Sequence, residues 1–321
     1  MNDIFKKMPK IELHLHLDGS VRIITACEIL NKNVKDEMQV NNCQNLTDYL
    51  SKFEIPIKVM QTKENLERIS YELALDLKED NVIYAEIRFC PLFHTNNLSL
   101  DEVVTSILKG LKKVDIKTNL ILCMMRGLEE EENKKIIYLA KKYLNKGVVG
   151  IDLAGDEAKY KTKDYEYLFK LAKENNIPFT IHAGEADDYT SILDAVKMGA
   201  KRIGHGVKVI DSANTIDKLI KENITLEVCP KSNIDTCIVN EYKLHPIQKL
   251  YKSGVKITVN TDNKTVSNID LTKEYQNLAF TFNFTKNDFL KFNINAIEAS
   301  FLNNLEKEEL KQIIIDRYNN L

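Results

Sequence analysis

From Val82 onward the chain alternates short apolar runs with longer amphipathic stretches. The apolar runs fall at 82–90, 119–125, 148–153, 179–182, 202–205, 224–229 and 255–260. Strands that face water on one side alternate apolar and polar residues, whereas continuous apolar runs separated by helices are the pattern of a parallel sheet buried on both faces. The amphipathic stretches close on Gly or Asn, which tolerate the left-handed backbone that ends a helix; Gly147 is the expected cap of the helix bearing Ile136, Ile137, Ala140, Tyr143 and Leu144. Ahead of this region, residues 9–20 read Pro-Lys-Ile-Glu-Leu-His-Leu-His-Leu-Asp-Gly-Ser. In a strand this places Leu13, Leu15 and Leu17 on one face and His14, His16 and Asp18 on the other, with Gly19 ending it.

Eight strands with crossover helices predict an α/β fold, a (β/α)8 TIM-type barrel occupying 1–321 as a single domain. Residues 21–81 contain no convincing strand, a long excursion that reads as a functional helical insertion after strand 1. Within it Leu46, Tyr49, Leu50 and Phe53 recur at helical spacing, and a helix over 63–80 turns Leu66, Ile69, Leu73 and Leu77 inward. A C-terminal helical tail follows Asp270. A doubly wound open sheet is the alternative, but neither a Gly-x-Gly-x-x-Gly turn nor a P-loop occurs.

Composition narrows the functional classes. Forty-five basic against 47 acidic residues give a net charge of −2 with no dense basic block, so a nucleic-acid partner is not expected. No apolar run reaches the length needed to span a bilayer and the N-terminus is polar, which predicts a soluble, cytoplasmic protein with no membrane partner. The six cysteines form no Cys-x-x-Cys pair and are expected to be thiols.

In a barrel the active site lies at the C-terminal ends of the strands. Four of the six histidines fall there: His14 and His16 on the first strand, His182 at the end of the fifth and His205 at the end of the sixth. Asp18, Gly155, Glu185 and Asp262 follow strands one, four, five and eight. His14, His16, His182 and Asp262 assemble into a metal site with a position left for water, the pattern of a hydrolytic zinc centre, with one Zn2+ per chain. Glu185 and His205 remain uncoordinated beside it as acid and base. His94 and His245 are expected at the surface.

The ordered motifs His-Leu-His-Leu-Asp-Gly-Ser (14–20), Gly-Ile-Asp-Leu-Ala-Gly-Asp-Glu (150–157), Ile-His-Ala-Gly-Glu (181–185), Ile-Gly-His-Gly (203–206), Glu-Val-Cys-Pro-Lys-Ser-Asn (227–233) and Val-Asn-Thr-Asp-Asn (259–263) resemble the adenosine deaminase family along nearly the whole chain. The resemblance implies a zinc-activated water that attacks C6 of a purine nucleoside and expels ammonia. His14, His16, His182 and Asp262 match the zinc ligands, Glu185 the residue that protonates N1, and His205 the residue that orients and deprotonates the water. Gly155 matches the donor to N3 and Asp18 the contact to the ribose 5′-hydroxyl; Leu46, Tyr49, Leu50 and Phe53 resemble the apolar gate over the base. One departure stands out: many members read Thr-Asp-Asp-Pro where this chain has Thr261-Asp262-Asn263-Lys264, so an amide replaces the carboxylate that faces N7. An adenine deaminase, or a deaminase of adenylate or N6-modified adenylate, would share most of these motifs.

Overall fold

The computed structural model describes residues 2–41 and 43–321. Eight parallel strands, β1 (Lys10–His16), β2 (Val82–Phe89), β3 (Lys117–Met125), β4 (Val148–Ala154), β5 (Ile181–Ala183), β6 (Arg202–His205), β7 (Thr225–Val228) and β8 (Lys256–Val259), run in sequence order as two four-stranded sheets. Two single bridges, Ile151 to Phe179 and Leu15 to Asp262, close these sheets into a barrel. At the β4/β5 seam the Thr180 N–H donates to the Ile151 carbonyl (3.1 Å). At the β8/β1 seam the His16 N–H donates to Asp262 O (2.7 Å) and the Asp262 N–H to His14 O (2.9 Å).

The strands match the sequence expectation, with two local differences. β1 stops at His16, and Asp18 sits in a tight 3-10 turn, Asp18–Ser20, instead of extending the strand. The helix Glu130–Tyr143 ends four residues before Gly147; Leu144 caps it, and the left-handed positions that turn the chain into β4 are Asn145 (φ 60°) and Gly147 (φ 110°).

Between β1 and β2 the described residues form helices only: Ile23–Leu30, Lys35–Met38, Leu46–Leu50, Glu54–Val59 and Lys63–Glu79. The last begins on Thr62, whose side chain accepts from the Asn65 N–H, and buries Leu66, Ile69, Leu73 and Leu77 as the periodicity requires. It packs closely on the helix Leu100–Leu111: a Cβ on Gly110 would lie 2.1 Å from the Glu67 carbonyl, so only glycine fits. After β8 come the helices Leu271–Phe282, Lys286–Ala299 and Asn304–Asn319, of which Lys286–Ala299 packs against β8 and β1. There the buried Asn293 side chain accepts from the Ile11 N–H (2.8 Å) and donates to the Tyr275 and Tyr318 hydroxyls.

The barrel interior is filled by charge as well as by aliphatic side chains. Arg88 donates to Asp152 Oδ2 (2.8 Å), Glu227 Oε2 (2.8 Å) and Leu13 O (2.6 Å), and all three side chains in this set are fully buried. Arg202 pairs with Glu227 Oε1 (2.6 Å) and with Glu86. These pairs reach across the barrel, from β2 to β7 and from β6 to β2. Burial alone would raise the Glu227 pKa, but Arg202 and Arg88 outweigh it and hold the group well below the usual carboxylate range. Replacing Arg88 by Met leaves buried Asp152 without its guanidinium and Glu227 with Arg202 alone, and is expected to cost about 3–5 kcal/mol. Chemical denaturation measures it, and a loss under about 1 kcal/mol would show that the cluster is not held together by this arginine.

Candidate active site

Alternation along β1 points His14 and His16 into the barrel mouth. The His14 Nδ1–H donates to Glu227 Oε2 (2.9 Å) and the His182 Nδ1–H faces Asp152 Oδ2 (2.8 Å). A neutral imidazole protonated at Nδ1 presents a lone pair at Nε2. His14 Nε2 is buried without any hydrogen-bond partner and lies 3.4 Å from Asp262 Oδ1. His16 Nε2 is 3.4 Å from the same oxygen and 3.4 Å from His182 Nε2. Ser232 donates to the other carboxylate oxygen, Asp262 Oδ2 (2.6 Å), which turns Oδ1 toward the imidazoles. Two imidazole nitrogens converging on one carboxylate oxygen form a donor set that suits a cation of the nitrogen-binding type.

His205 also belongs to this cluster, since donor atoms of His14, His182, His205 and Asp262 lie within 4.8 Å of one another. Its tautomer sets it apart. The Ile247 N–H donates to His245 Nδ1 (3.1 Å), so His245, whose pKa burial lowers to about 3, carries its proton on Nε2 and donates to Asn233 Oδ1 (3.2 Å). The Asn233 amide then donates to His205 Nδ1 (3.0 Å), which leaves the neutral His205 ring with its proton on Nε2. Burial holds His205 well below its ordinary pKa, so neutral is its resting form. Nε2–H points toward Glu185 Oε2 (3.6 Å) and Asp262 Oδ2 (4.0 Å) as a donor, not a lone pair. His245, expected at the surface, is therefore buried and fixes the Asn233 amide; His94, also expected there, is fully buried, with a pKa lowered by burial to about 4.

His205 and Asp262 both hold left-handed backbone, φ 60° and 61°. Such conformations cost about 1–3 kcal/mol for non-glycine residues and persist only where the surroundings enforce them. Glu185 is 5% exposed. Burial first, then the charges of Asp262 and Glu157, raise its pKa far above the ordinary glutamate value.

Above the cluster lies a cavity of about 270 Å³. Asp18, Gly155, Glu185, His205 and Asn263 line it together with His16, His182 and Asp262, whereas His14 sits below its floor. Leu46, Tyr49, Leu50 and Phe53 roof it, on the helix Leu46–Leu50 and the 3-10 turn that follows. With Val266 and Ala186 they make an apolar cluster separate from the main core. Four hydrogen bonds hold the roof: Thr47 Oγ1 donates to Asp156 Oδ2 (2.8 Å), the Val40 N–H to Val266 O (2.9 Å), and Asn263 Nδ2 to the Tyr49 hydroxyl (2.9 Å), which also bonds Ser267 Oγ (3.0 Å). Cys90, Cys123, Met125 and Arg126 form a wall that the sequence reading did not assign. Arg126 donates to Tyr160 O, Thr162 Oγ1 and His182 O (2.7, 3.0 and 2.6 Å). Arg88, Asp152 and Glu227, which orient the imidazoles, were also missed, although a charged residue within an otherwise apolar parallel strand was the available signal.

A parallel barrel with buried imidazoles and a carboxylate gathered at its strand ends, under a helical roof, defines the class of metal-dependent deaminases. Residues 9–317 match the family model described as Adenosine deaminase, and the chain belongs to the adenosine deaminase family. It is 43% identical to an adenosine deaminase of Clostridium perfringens (96% of this chain, 98% of that one) and 44% identical to one of Clostridium botulinum (97% and 98%). Among solved structures, the Arabidopsis N6-mAMP deaminase MAPDA superposes with a TM-score of 0.88 at 25% identity, covering 98% of this chain and 99% of that one.

Tyr49→Phe removes the acceptor of the buried Asn263 amide and is expected to weaken roof closure by about 1–3 kcal/mol. Hydrogen exchange of residues 46–50 measures this; unchanged protection would show that packing alone closes the roof.

Proposed function

We propose that the chain is a zinc-dependent deaminase converting adenosine, and 2′-deoxyadenosine, to the inosine nucleoside and ammonia with consumption of one water. The observation that carries this reading is the buried Glu185 beside the converging imidazoles, in a chain 43–44% identical over nearly its whole length to adenosine deaminases. One Zn2+ is assigned to His14, His16, His182 and Asp262; His205 is left out because its Nε2 carries a proton. When bound, the ion supplies a Lewis acid that makes hydroxide available from water at neutral pH. Protonated Glu185 donates to N1, which draws electron density from C6 and lets the oxygen add there. The Glu185 carboxylate then takes the proton of the added hydroxyl and passes it to the amino group, which leaves as ammonia, and the proton released by the next water restores the acid. His205, through Nε2–H, orients the attacking oxygen. The tautomer argues against the deprotonating half of the role expected for His205, because the neutral ring offers no lone pair on that side. Gly155 and Asp18 are assigned to N3 and the ribose 5′-hydroxyl, and Leu46, Tyr49, Leu50 and Phe53 exclude water over the base.

Asn263 fits N7 under one condition. Its Nδ2 is engaged by Tyr49 and its Oδ1, buried and unpartnered, cannot donate to an acceptor. If the amide turns over, the Tyr49 hydroxyl becomes the donor to Oδ1 and Nδ2 is released for N7. Removing the amide in Asn263→Ala is therefore expected to weaken adenosine selectively relative to 7-deazaadenosine; equal weakening of both would assign Asn263 to the roof alone.

A 5′-phosphate would meet the buried Asp18 carboxyl, and both terminal nitrogens of Arg126, the guanidinium lining the cavity, are already engaged. AMP is accordingly expected to be turned over about 100-fold or more less efficiently than adenosine; comparable efficiencies would favour the adenylate reading, which the Arabidopsis neighbour represents.

Metal analysis should find one zinc per chain, lost together with turnover in His16→Ala. Without an ion, burial disfavours a charged His14, but Asp262 and Glu227 outweigh it and raise its pKa. Loading must expel that proton, so zinc affinity is expected to fall as pH is lowered. Glu185→Gln should keep the metal yet lose about 10²–10⁴-fold in kcat, the usual contribution of a general acid. The competent, protonated Glu185 persists below its raised pKa and is lost as pH rises through it, which sets the alkaline limb of the rate profile in the native protein. Near-normal turnover in Glu185→Gln would remove Glu185 from the reaction.

A further inference from the structure

The motif Gly-Ile-Asp-Leu-Ala-Gly-Asp-Glu ends on Glu157, whose charge helps to raise the Glu185 pKa and whose hydrogen bonds point to a second role. Glu157 is 1% exposed. Its carboxylate collects five donors, four of them successive backbone N–H groups. Oε1 accepts from Gly184 N–H (2.7 Å) and from the Ser191 hydroxyl; Oε2 accepts from Glu185 N–H (2.9 Å), Ala186 N–H (2.9 Å) and Asp187 N–H (3.3 Å). These N–H groups belong to the turn that leaves β5, where Gly184 has φ 69°. Four such donors pointing one way form a cradle for an anion, and here the anion is a side chain of the same protein.

The other side of the turn is also held. Arg126 donates to the His182 carbonyl (2.6 Å) and to Thr162 Oγ1 (3.0 Å), and Thr162 and Ser191 hydroxyls are hydrogen-bonded (2.7 Å), so a continuous polar path runs from Arg126 to Glu157. The turn between them carries Glu185, whose own side chain has one weak contact, from Thr236 Oγ1 (3.4 Å), besides its approach to His205. Glu185 is thus aimed by its backbone more than by its side-chain partners.

We propose that Glu157 is a positioning residue for the reaction, which fixes the Gly184–Asp187 turn so that the Glu185 carboxyl is delivered to N1 of the purine. This rests on the assignment of Glu185 as the acid. Glutamate is needed because both oxygens must accept: in Gln one is replaced by an NH2 that opposes the N–H groups of the turn, so at least one bond is lost wherever the amide is placed. A displacement of about 1 Å at a reacting group costs on the order of 10²-fold in rate.

The test compares Glu157→Gln, Glu185→Gln and the double variant, each loaded with zinc and assayed with adenosine. Glu157→Gln is expected to keep its zinc and a KM within about three-fold of native while kcat falls about 30-fold or more. In the Glu185→Gln background the same change should cost less than about three-fold, because the group it positions is already disabled. A residue that merely supports the barrel would lower both backgrounds equally. Multiplicative losses, loss of zinc in parallel with activity, or a near-native kcat in Glu157→Gln would each overturn the proposal. Near-normal turnover in Glu185→Gln would instead sink the assignment of the acid, a separate result. If Glu157→Gln does not fold, Ser191→Ala decides, since it removes one of the five donors and leaves the backbone cradle. A kcat reduced about three-fold or more in the native background, but not in Glu185→Gln, supports the positioning role; the same fold-change in both backgrounds, including none, overturns it.

Discussion

The structure depends on a single guanidinium held between two carboxylates. Arg88 donates to Asp152 and to Glu227; Glu227 accepts from His14 Nδ1, and Asp152 Oδ2 faces His182 Nδ1 at 2.8 Å. A buried carboxylate facing an imidazole alone could draw the proton across or charge the ring; neutralised by a guanidinium, it acts as an acceptor and fixes the tautomer. The same five side chains join β1, β2, β4, β5 and β7, so the arrangement that directs the Nε2 lone pairs also sets the spacing of the strands. Stability and site geometry are consequences of one network, and a change to Arg88 cannot affect one without the other.

The histidines at the barrel mouth look alike in the sequence but are divided by what lies behind them. Behind His14 and His182 stand carboxylates, which accept; behind His205 stands the Asn233 amide, which donates. The result is a lone pair in the first two and an N–H in the third. The orientation of Asn233 goes back through His245 to one backbone N–H, that of Ile247, which cannot reverse its polarity. Local backbone geometry thereby determines the chemistry of a ring two side chains away.

Much of this was legible in the sequence, for physical reasons. Parallel strands buried on both faces give continuous apolar runs, and crossover helices end on Asn or Gly, so the eight strands and their order could be read directly. The residues at their C-terminal ends then fell together, because the barrel brings all such ends to one face. What could not be read was the partner of each polar group. Arg88, Asp152 and Glu227 lie in apolar runs where a charge signals an internal ion pair, but the pairing crosses the barrel and leaves no local spacing. His94 and His245 show that a loop position does not imply exposure, and Glu157 that a motif can carry a residue which serves the backbone of another segment. Asp18 was placed on a strand by alternation alone, whereas the chain turns one residue after His16 to bring that carboxyl over the cavity.

The position of the site within the barrel also follows from how the barrel closes. Regular ladders bind β1 to β4 and β5 to β8, but the two sheets meet at seams of only a bridge each. His14, His16 and Asp262 exchange the backbone hydrogen bonds of one seam, and Asp152 and His182 flank the other. The polar groups are thus placed where the backbone ladder is weakest, and the cross-barrel pairs Arg88 to Glu227 and Arg202 to Glu86 compensate beneath them. Two of the four assigned ligands come from each sheet, so any cation they share ties the halves together and favours the closed barrel over an opened one by its own binding free energy. Closing the sheet and gathering the assigned ligands are therefore coupled: at Asp262, which holds left-handed backbone, the N–H and C=O complete the seam while Oδ1 faces the imidazoles.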